Sequence, residues 1–203
     1  MEEKDTYKTI ETASEEVLYK EKNSKFFGYC FPIRSEEQVK EILEKIKKEH
    51  YSARHWCYAF QIGTEQIHYR ANDDGEPSGS AGLPIYGQIQ SFELTNILVI
   101  VVRYFGGIKL GVGGLVTAYK ETAKMALENC DIIEKTIDIR YKIKFDYKHM
   151  NRVMRIIKEK NINIVGQKLE LDCEIEIAVR KRDSEMIFTT FENLYEISIT
   201  PIE

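Results

Sequence analysis

The sequence lacks the features that would place this chain in a secretory or membrane setting. No apolar run approaches the roughly 18 residues that a membrane-spanning helix needs, and the N-terminal residues lack the basic and then apolar order of a signal peptide. The four cysteines stand far apart and form no C-x-x-C pair, so they indicate neither a zinc site nor a disulfide framework. We therefore expect a cytoplasmic protein with no membrane partner, in which Cys30, Cys57 and Cys173 are buried thiols.

An excess of basic charge and a recognisable catalytic arrangement are also missing. The chain has 29 Lys and Arg against 33 Asp and Glu, a net charge of −4, so global electrostatics gives no support for nonspecific nucleic-acid binding. His55 and Cys57 would share one face of a strand, but no third group can be assigned to orient a nucleophile. Neither Ser78 nor Ser80 sits in a G-x-S-x-G elbow. The residues predict no catalytic group, metal or cofactor, and His55 is interpreted as a core or partner-contact residue.

The periodicity of apolar residues predicts an α+β fold. At 203 residues, 43% hydrophobic and 31% charged, the chain suits one large or two small domains of an ordinary soluble protein. In the first half, helices are predicted from Ser35 to Glu49, beginning with the capping box Ser35-Glu36-Glu37-Gln38, and from Leu115 to Leu127. Strands are predicted over residues 17–20, 26–33, 55–62, 66–70 and 96–104.

The second half of the chain follows the order β-α-β-β-α-β. Apolar residues at helical spacing predict one helix from Met150 to Ile157 and a second from Ile187 to Leu194, with Asp183 as the predicted cap of the second. Strands are predicted over residues 137–145, 162–168, 172–179 and 195–200. This order is the ferredoxin-like split βαβ plan. The boundary is predicted near residues 131–135, which gives domains at 1–131 and 135–203.

A loop rich in glycine is the strongest functional signal. Five glycines within nine residues form this glycine loop (residues 106–114): Gly106, Gly107, Gly111, Gly113 and Gly114. A buried strand enters it and a helix leaves it, which places backbone N–H groups where proteins hold anions, and Arg103 and Lys109 bracket it. The loop matches neither the Walker nor the dinucleotide pattern. The glycines could equally serve only positive φ and close helix–strand packing, and the sequence leaves both interpretations open.

A second loop carries carboxylates. This acidic loop (residues 72–82) contains Asp73, Asp74 and Glu76, followed by Pro77, Ser78 and Gly79. Carboxylates beside a phosphate-binding loop could hold Mg²⁺. Alternatively, the loop is a turn in which Glu76 or Ser78 caps the next helix, or it makes polar contacts with a partner. We expect the acidic and glycine loops to meet in one groove beside the central strand.

The two loops resemble the signatures of the YigZ/IMPACT family. The motifs are Asp-Asp-Gly-Glu-Pro-Ser-Gly-Ser-Ala-Gly at residues 73–82 and Val-Arg-Tyr-Phe-Gly-Gly-Ile-Lys-Leu-Gly-Val-Gly-Gly-Leu at residues 102–115. Supporting similarity lies at residues 22–26 and 53–59, and the tail is similar to the second domain of bacterial YigZ proteins. One position departs: Leu83 stands where many relatives have a basic residue, which weakens a phosphate contact there.

The resemblance implies a fold and a setting. It implies an N-terminal domain with the ribosomal-protein-like β-α superfold of translation factors and small-molecule kinases, and a C-terminal ferredoxin-like domain similar to the last domain of elongation factor G. Eukaryotic IMPACT relatives regulate translation by binding the activator of a starvation-responsive initiation-factor kinase. The ferredoxin-like tail indicates a bacterial protein, so that partner is not carried over. A link to translation, RNA or the ribosome is what remains.

Three hypotheses follow. The first is a non-catalytic translation-associated protein that binds RNA, the ribosome or a translation factor through the glycine-rich groove. The second is an enzyme or binding protein for a phosphorylated small molecule or nucleotide, with Mg²⁺ on the acidic loop; its kinase analogy rests on fold alone. The third is a protein–protein adaptor that uses the ferredoxin-like domain. The predicted ligand-binding residues are His55, Asp73, Asp74, Glu76, Ser78, Gly79, Arg103, Gly106, Gly107, Lys109, Gly111, Gly113 and Gly114.

Overall fold

The computed structural model describes residues 5–202, which form an α+β protein of two compact units. The first unit spans Tyr7–Lys135, and the second combines Asp5 and Thr6 with the chain from Thr136 onward. The helices are α1 (Glu36–Glu49), α2 (Gly82–Ser91), α3 (Gly111–Glu128), α4 (Met150–Glu159) and α5 (Lys181–Glu192). The strands are β1 (Thr6–Ile10), β2 (Val17–Glu21), β3 (Ser24–Pro32), β4 (His55–Ile62), β5 (His68–Asn72), β6 (Ile97–Tyr104), β7 (Ile132–Thr136), β8 (Asp138–Asp146), β9 (Asn163–Lys168), β10 (Asp172–Arg180) and β11 (Ile197–Ile202).

The first unit is built around a five-stranded sheet of order β2-β3-β6-β4-β5. Strand β6 lies at its centre and pairs antiparallel with both β3 and β4. Its apolar run is buried on both faces, because α2 and α3 pack on one face while residues of α1 pack on the other. On α3 the buried stripe includes Ala118, Ala123 and Ala126, whose small side chains let the helix approach the sheet closely.

The strand directions bring both signature loops to one edge of this sheet. Strands β5 and β6 each pair antiparallel with β4, so they run parallel to each other. β5 ends at Asn72 and leads through the acidic loop into α2, while β6 ends at Tyr104 and leads through the glycine loop into α3. The amino ends of both helices therefore lie near the same edge, where β4 begins at His55.

The second unit has the predicted element order, β8-α4-β9-β10-α5-β11. Its four strands form a sheet of order β11-β8-β10-β9 in which every pairing is antiparallel. Alternating residues of β8 and β10, such as Ile143 and Ile175, are buried against the apolar stripes of α4 and α5, which include Val153 and Phe191. The alternation that predicts these strands from sequence is thus the burial pattern of a sheet with one covered face.

The structure differs from the sequence-based expectations at several elements. Strands β1 and β7 pair with each other as a two-stranded sheet that the periodicity did not predict. Helix α2 was expected only as an unplaced helix after the acidic loop, because Gly82, Pro84 and Gly87 obscure its pattern. Ser35 precedes α1 but its side chain makes no capping hydrogen bond. In place of the predicted reciprocal bond, Gln38 Oε1 accepts from the N–H of Arg34 at 2.6 Å.

Two further boundaries shift in the second unit. Helix α5 begins at Lys181, so Asp183 lies within its first turn and does not precede the helix as a cap. The last strand runs from Ile197 to Ile202, two residues later than expected. Between residues 5 and 202, none of the helices has both the length and the apolar character that crossing a bilayer requires.

Candidate functional site

The acidic loop is closed around the carboxylate of Asp73. Its Oδ1 accepts hydrogen bonds from the N–H groups of Ala81 (2.9 Å) and Gly82 (2.8 Å), and its Oδ2 accepts from the N–H of Gly79 (2.8 Å). Asp73 therefore satisfies backbone donors at the start of α2, where a negative charge is also favoured by the helix dipole. The capping role that the sequence offered to Ser78 belongs to Asp73, and Ser78 is exposed.

Asp74 connects the acidic loop to the beginning of β4 by hydrogen bonds. Its Oδ2 accepts from the N–H of Trp56 at 2.8 Å, and its own N–H donates to Oδ1 of Asn72 at 2.8 Å. The Asp74 carbonyl lies 2.9 Å from Nδ1 of His55. Because a carbonyl can only accept, Nδ1 carries the proton, and Nε2 of His55 faces Oε1 of Glu76 at 3.9 Å.

A buried ion pair joins the acidic loop to the end of β6. Oε1 of Glu76 accepts from Nη1 of Arg103 at 2.6 Å and from the hydroxyl of Tyr119 at 2.9 Å. The side chains of Glu76 and Arg103 are only 4% and 6% exposed, and the guanidinium carbon lies 5.5 Å from the ring centroid of Phe26 and 5.6 Å from that of Phe105. The charge of Arg103 is therefore neutralised inside the protein, and Glu76 serves as its partner.

The thiol of Cys57 extends this network without being activated by it. Sγ of Cys57 lies 3.0 Å from the carbonyl oxygen of Asp73 and 3.2 Å from the hydroxyl oxygen of Tyr119. Burial raises the pKa of the Cys57 thiol well above its usual range, and burial likewise raises the pKa of Tyr119. Both groups stay protonated at neutral pH, so Cys57 has the properties of a structural thiol rather than those of a nucleophile.

The acidic loop thus meets the end of β6 and helix α3 in a polar core, in which the buried Nε of Arg103 donates to no acceptor among residues 5–202. Every carboxylate of the acidic loop is engaged, since Asp73 binds N–H groups at the start of α2, Asp74 binds β4, and Glu76 binds Arg103 and Tyr119. Within residues 5–202, no three His, Cys, Asp or Glu side chains are arranged so that they could hold a metal ion. These hydrogen bonds hold the acidic loop rigidly against α2, β4 and the end of β6.

Two glycines of the glycine loop are explained by close packing. A Cβ on Gly106 would lie 2.0 Å from the carbonyl carbon of Asn23 and 2.3 Å from the nitrogen of Ser24. The N–H of Gly106 donates to Oγ of Ser24 at 3.2 Å. A Cβ on Gly114 would lie 3.1 Å from the Cβ of Leu110. At Gly106 glycine lets two stretches of backbone approach each other, and at Gly114 it leaves room for the side chain of Leu110.

The other three glycines have no such explanation. A Cβ on Gly107, Gly111 or Gly113 would meet no atom within 4 Å, and all three residues are exposed. Gly107 and Gly111 have φ values of +86° and +74°, which account for glycine there, whereas Gly113 lies in the first turn of α3 without a positive φ. Leu110, which precedes α3, provides no side-chain cap. The start of α3 is therefore a stretch of open backbone, with the exposed Lys109 beside it.

Apolar side chains surround this open backbone. Phe105, Ile108 and Val112 are 41%, 48% and 57% exposed. Leu83, the position that departs from the family pattern, is 58% exposed in the first turn of α2. The glycine loop with Phe105 therefore presents one lysine, exposed glycine backbone and apolar side chains to solvent, whereas the carboxylates of the acidic loop are bonded to donors of the protein.

Sequence reasoning missed two residues that organise the site. Tyr119 lies within the helix predicted from Leu115 to Leu127, but the sequence did not single it out; its hydroxyl lies within hydrogen-bond distance of both Glu76 and Cys57. Ser24 lies between the strands predicted over residues 17–20 and 26–33, and it is buried with its Oγ accepting from the N–H of Gly106. The signal for Tyr119 was available, because a polar aromatic residue on a stripe of alanines usually has a partner for its hydroxyl.

The chain is similar to known proteins along most of its length. The sequence pattern of the Impact N-terminal domain matches residues 22–127. The chain is 32% identical over 179 residues to the IMPACT family member YvyE of Bacillus subtilis, across 88% of this chain and 82% of that protein. It is 32% identical over 161 residues to the IMPACT family member YigZ of Escherichia coli, across 77% and 78%. A crystal structure described as that of a hypothetical protein superimposes with a TM-score of 0.73 at 25% identity and covers 98% of both chains.

Proposed function

The chain belongs to the IMPACT family, and on that basis we propose that it is a non-catalytic, translation-associated protein that binds RNA, free or within the ribosome. The glycine loop is the proposed contact surface. The observation that carries the proposal is the open backbone at Gly107, Gly111 and Gly113, where nothing in the described part of the chain explains Gly113 by packing or by φ.

The chemistry of this surface suits a nucleic-acid backbone. The first N–H groups of a helix have no partner within the helix, and they point toward anions that approach its amino end. Lys109 adds a positive charge, and the exposed ring of Phe105 can stack on an unpaired base. Because Glu76 is neutralised by Arg103 and Asp73 is bonded to backbone N–H groups, the neighbouring carboxylates oppose an approaching phosphate only weakly.

The absence of catalysis is part of the proposal and rests on the polar core. The raised pKa of the Cys57 thiol argues against a nucleophile at this position. The carboxylates of Asp73, Asp74 and Glu76 are engaged by N–H and guanidinium donors, which argues against their acting as general bases or metal ligands. The β-α-β-β-α-β order of the second unit supports its proposed likeness to the last domain of elongation factor G.

A second candidate function uses the same backbone. A phosphorylated small molecule or nucleotide could place its phosphate on the N–H groups at the start of α3, since this geometry does not distinguish a free phosphate from one in RNA. The exposed Phe105, Ile108 and Val112 favour a larger partner. A thermal-shift panel of nucleotides with and without Mg²⁺ separates the two, because the RNA proposal expects no mononucleotide to raise the unfolding temperature.

Crosslinking and sequencing of RNA bound in cells tests the proposal directly. The test variant is Lys109→Glu, which reverses the charge of the glycine loop without touching the buried ion pair. Lys120→Glu is the matched control, because Lys120 is also exposed but lies within α3, away from the glycine loop. We expect ribosomal or transfer RNA to be recovered with wild type and with the control but to be strongly reduced with Lys109→Glu. Equal recovery from all three proteins, or none above background from wild type, would reject the proposal.

A further inference from the structure

A cavity of about 510 Å³ lies in the first unit, at the other end of the central strand from the glycine loop. Its walls include Pro32 and Ile33 at the end of β3 and Asn96 directly before β6. Pro32 pairs with Ile97, the first residue of β6, whereas the glycine loop comes after Tyr104, the last. A strand of this length spans about 25 Å, so the cavity is separate from the proposed RNA surface.

Strand β1 also lines the cavity, through Thr9 and Ile10. The N–H of Thr95 donates to the carbonyl oxygen of Lys8 at 3.0 Å, which holds β1 beside the segment that leads into β6. The chain that follows β3 is joined to the same segment by a further backbone hydrogen bond. Backbone hydrogen bonds therefore connect the walls, and the volume lies within the range of cavities that bind small molecules.

The hydroxyl of Thr9 is a buried polar group that lacks a partner among residues 5–202. Thr9 is only 5% exposed, and its Oγ1 makes no hydrogen bond within this part of the chain. Among the same residues, the side-chain polar atoms that are fully enclosed without a partner are Nε1 of Trp56 and Nε of Arg103. Oγ1 of Thr9 is therefore not fully enclosed, and the cavity that Thr9 lines gives access to it. Because buried polar groups nearly always have a hydrogen-bond partner, a group bound in the cavity would supply the missing one.

The charged residues that line the cavity leave one positive charge without a partner. Nζ of Lys135 lies 2.8 Å from Oε1 of Glu11, so these two lining residues neutralise each other. Arg34 also lines the cavity, and its guanidinium forms no ion pair within residues 5–202. A guanidinium is planar and binds a carboxylate through two parallel hydrogen bonds. The cavity therefore combines an unpaired guanidinium with an unbonded hydroxyl, and both can donate to an anion.

We propose that this cavity binds a small organic monocarboxylate. The carboxylate accepts hydrogen bonds from the guanidinium of Arg34 and the hydroxyl of Thr9, and the apolar part of the ligand packs against the apolar walls, which are Ile10, Pro32 and Ile33. A single negative charge balances the guanidinium of Arg34. A phosphate monoester carries nearly two negative charges at neutral pH, and the carboxylate of Glu11 would repel the second.

Backbone amide NMR of the full chain tests the proposal. The probes are acetate, butyrate and benzoate, each compared with its uncharged primary amide, and inorganic phosphate at matched ionic strength. We expect at least one carboxylate to produce saturable shifts at the N–H groups of Thr9, Ile33 and Arg34 while those of the glycine loop stay unchanged. An amide that shifts these signals as strongly as its carboxylate, phosphate that binds more tightly than every carboxylate, or no saturable shift with any carboxylate at millimolar concentration would overturn the proposal.

Two variants and a control assign the contacts. Arg34→Gln and Thr9→Val should each weaken binding of the best carboxylate about tenfold, because each removes a hydrogen bond to a charged group. Arg54→Gln is the control and should bind as wild type does, because Arg54 is also exposed but lies directly before β4, at the end of the sheet near the glycine loop. Since the Thr9 hydroxyl has no partner within residues 5–202, Thr9→Val should leave the unfolding temperature of the free protein unchanged or raise it. Wild-type affinity in Arg34→Gln, an equal loss in Arg54→Gln, or a lower unfolding temperature of Thr9→Val would each contradict the proposed site.

Discussion

Replacing Gly113 by alanine should stabilise the first unit and at the same time weaken RNA binding. Gly113 lies in the first turn of α3, its φ is not positive, and an added Cβ meets no atom within 4 Å. Alanine in a helix is about 0.5–1 kcal/mol more favourable than glycine. For a unit of this size we expect the unfolding temperature to rise by about 1–4 °C.

The same methyl group should obstruct a ligand that approaches the backbone. If a phosphate contacts the N–H groups at the start of α3, displacing it from one charge-assisted hydrogen bond costs about 1.5 kcal/mol, which corresponds to about a tenfold loss of affinity. Gly87→Ala is the matched control. Gly87 lies inside α2, lacks a positive φ, and also has no atom within 4 Å of a built Cβ, so alanine there should stabilise without affecting RNA.

Tryptophan fluorescence can follow the unfolding of the first unit separately from that of the second. Trp56 is the single tryptophan of the chain and belongs to the first unit, so its fluorescence during urea unfolding reports that unit alone. RNA recovery after crosslinking is measured on the same variants. A stabilised Gly113→Ala protein that recovers as much RNA as wild type would refute the role of open backbone at this position. A destabilised one would refute the description of Gly113 as an unhindered helical residue.

Two further substitutions test the base of the loops. Glu76→Ala leaves the buried guanidinium of Arg103 without its carboxylate and should lower the free energy of unfolding by about 3–5 kcal/mol. The control Glu128→Ala removes an exposed ion pair with Lys124 and should lower it by less than about 1 kcal/mol. Equal effects of the two substitutions in urea unfolding would contradict the burial of the Glu76–Arg103 pair. Gly106→Ala places a Cβ 2.0 Å from the Asn23 backbone and should cost about 1–3 kcal/mol or more, and an unchanged unfolding midpoint would show that the turn yields freely.

The parts of the fold that were predictable from the sequence are those whose pattern of apolar residues is visible within a single element. The continuous apolar run of β6 indicates a strand buried on both faces, and the alternation in β8 and β10 indicates strands with one covered face. Helix α2 was not placed, because Gly82 and Pro84 within its first turn resemble loop residues and tertiary contacts with the sheet stabilise it instead.

The candidate site was predictable in part for the same reason. The glycine loop is a local pattern, and its position between strand and helix follows from the sequence. The pairing of Glu76 with Arg103 joins residues 27 positions apart, and only the meeting of two strand ends brings them together. Sequence reasoning therefore placed Arg103 on the ligand surface, whereas burial and the Glu76 carboxylate hold its guanidinium inside the protein.

The division of the chain has a consequence for the order in which it can fold during synthesis. The second unit contains Asp5, whose carboxylate accepts from Nε of Arg180 at 2.6 Å, so residues on either side of the first unit in the sequence pair with each other. Residues 7–135 form an insertion within that unit and can fold while the ribosome is still producing the rest. A fragment that begins at Thr136 would lack the carboxylate that pairs with Arg180, and isolating the second unit intact requires the N-terminal segment to be supplied with it.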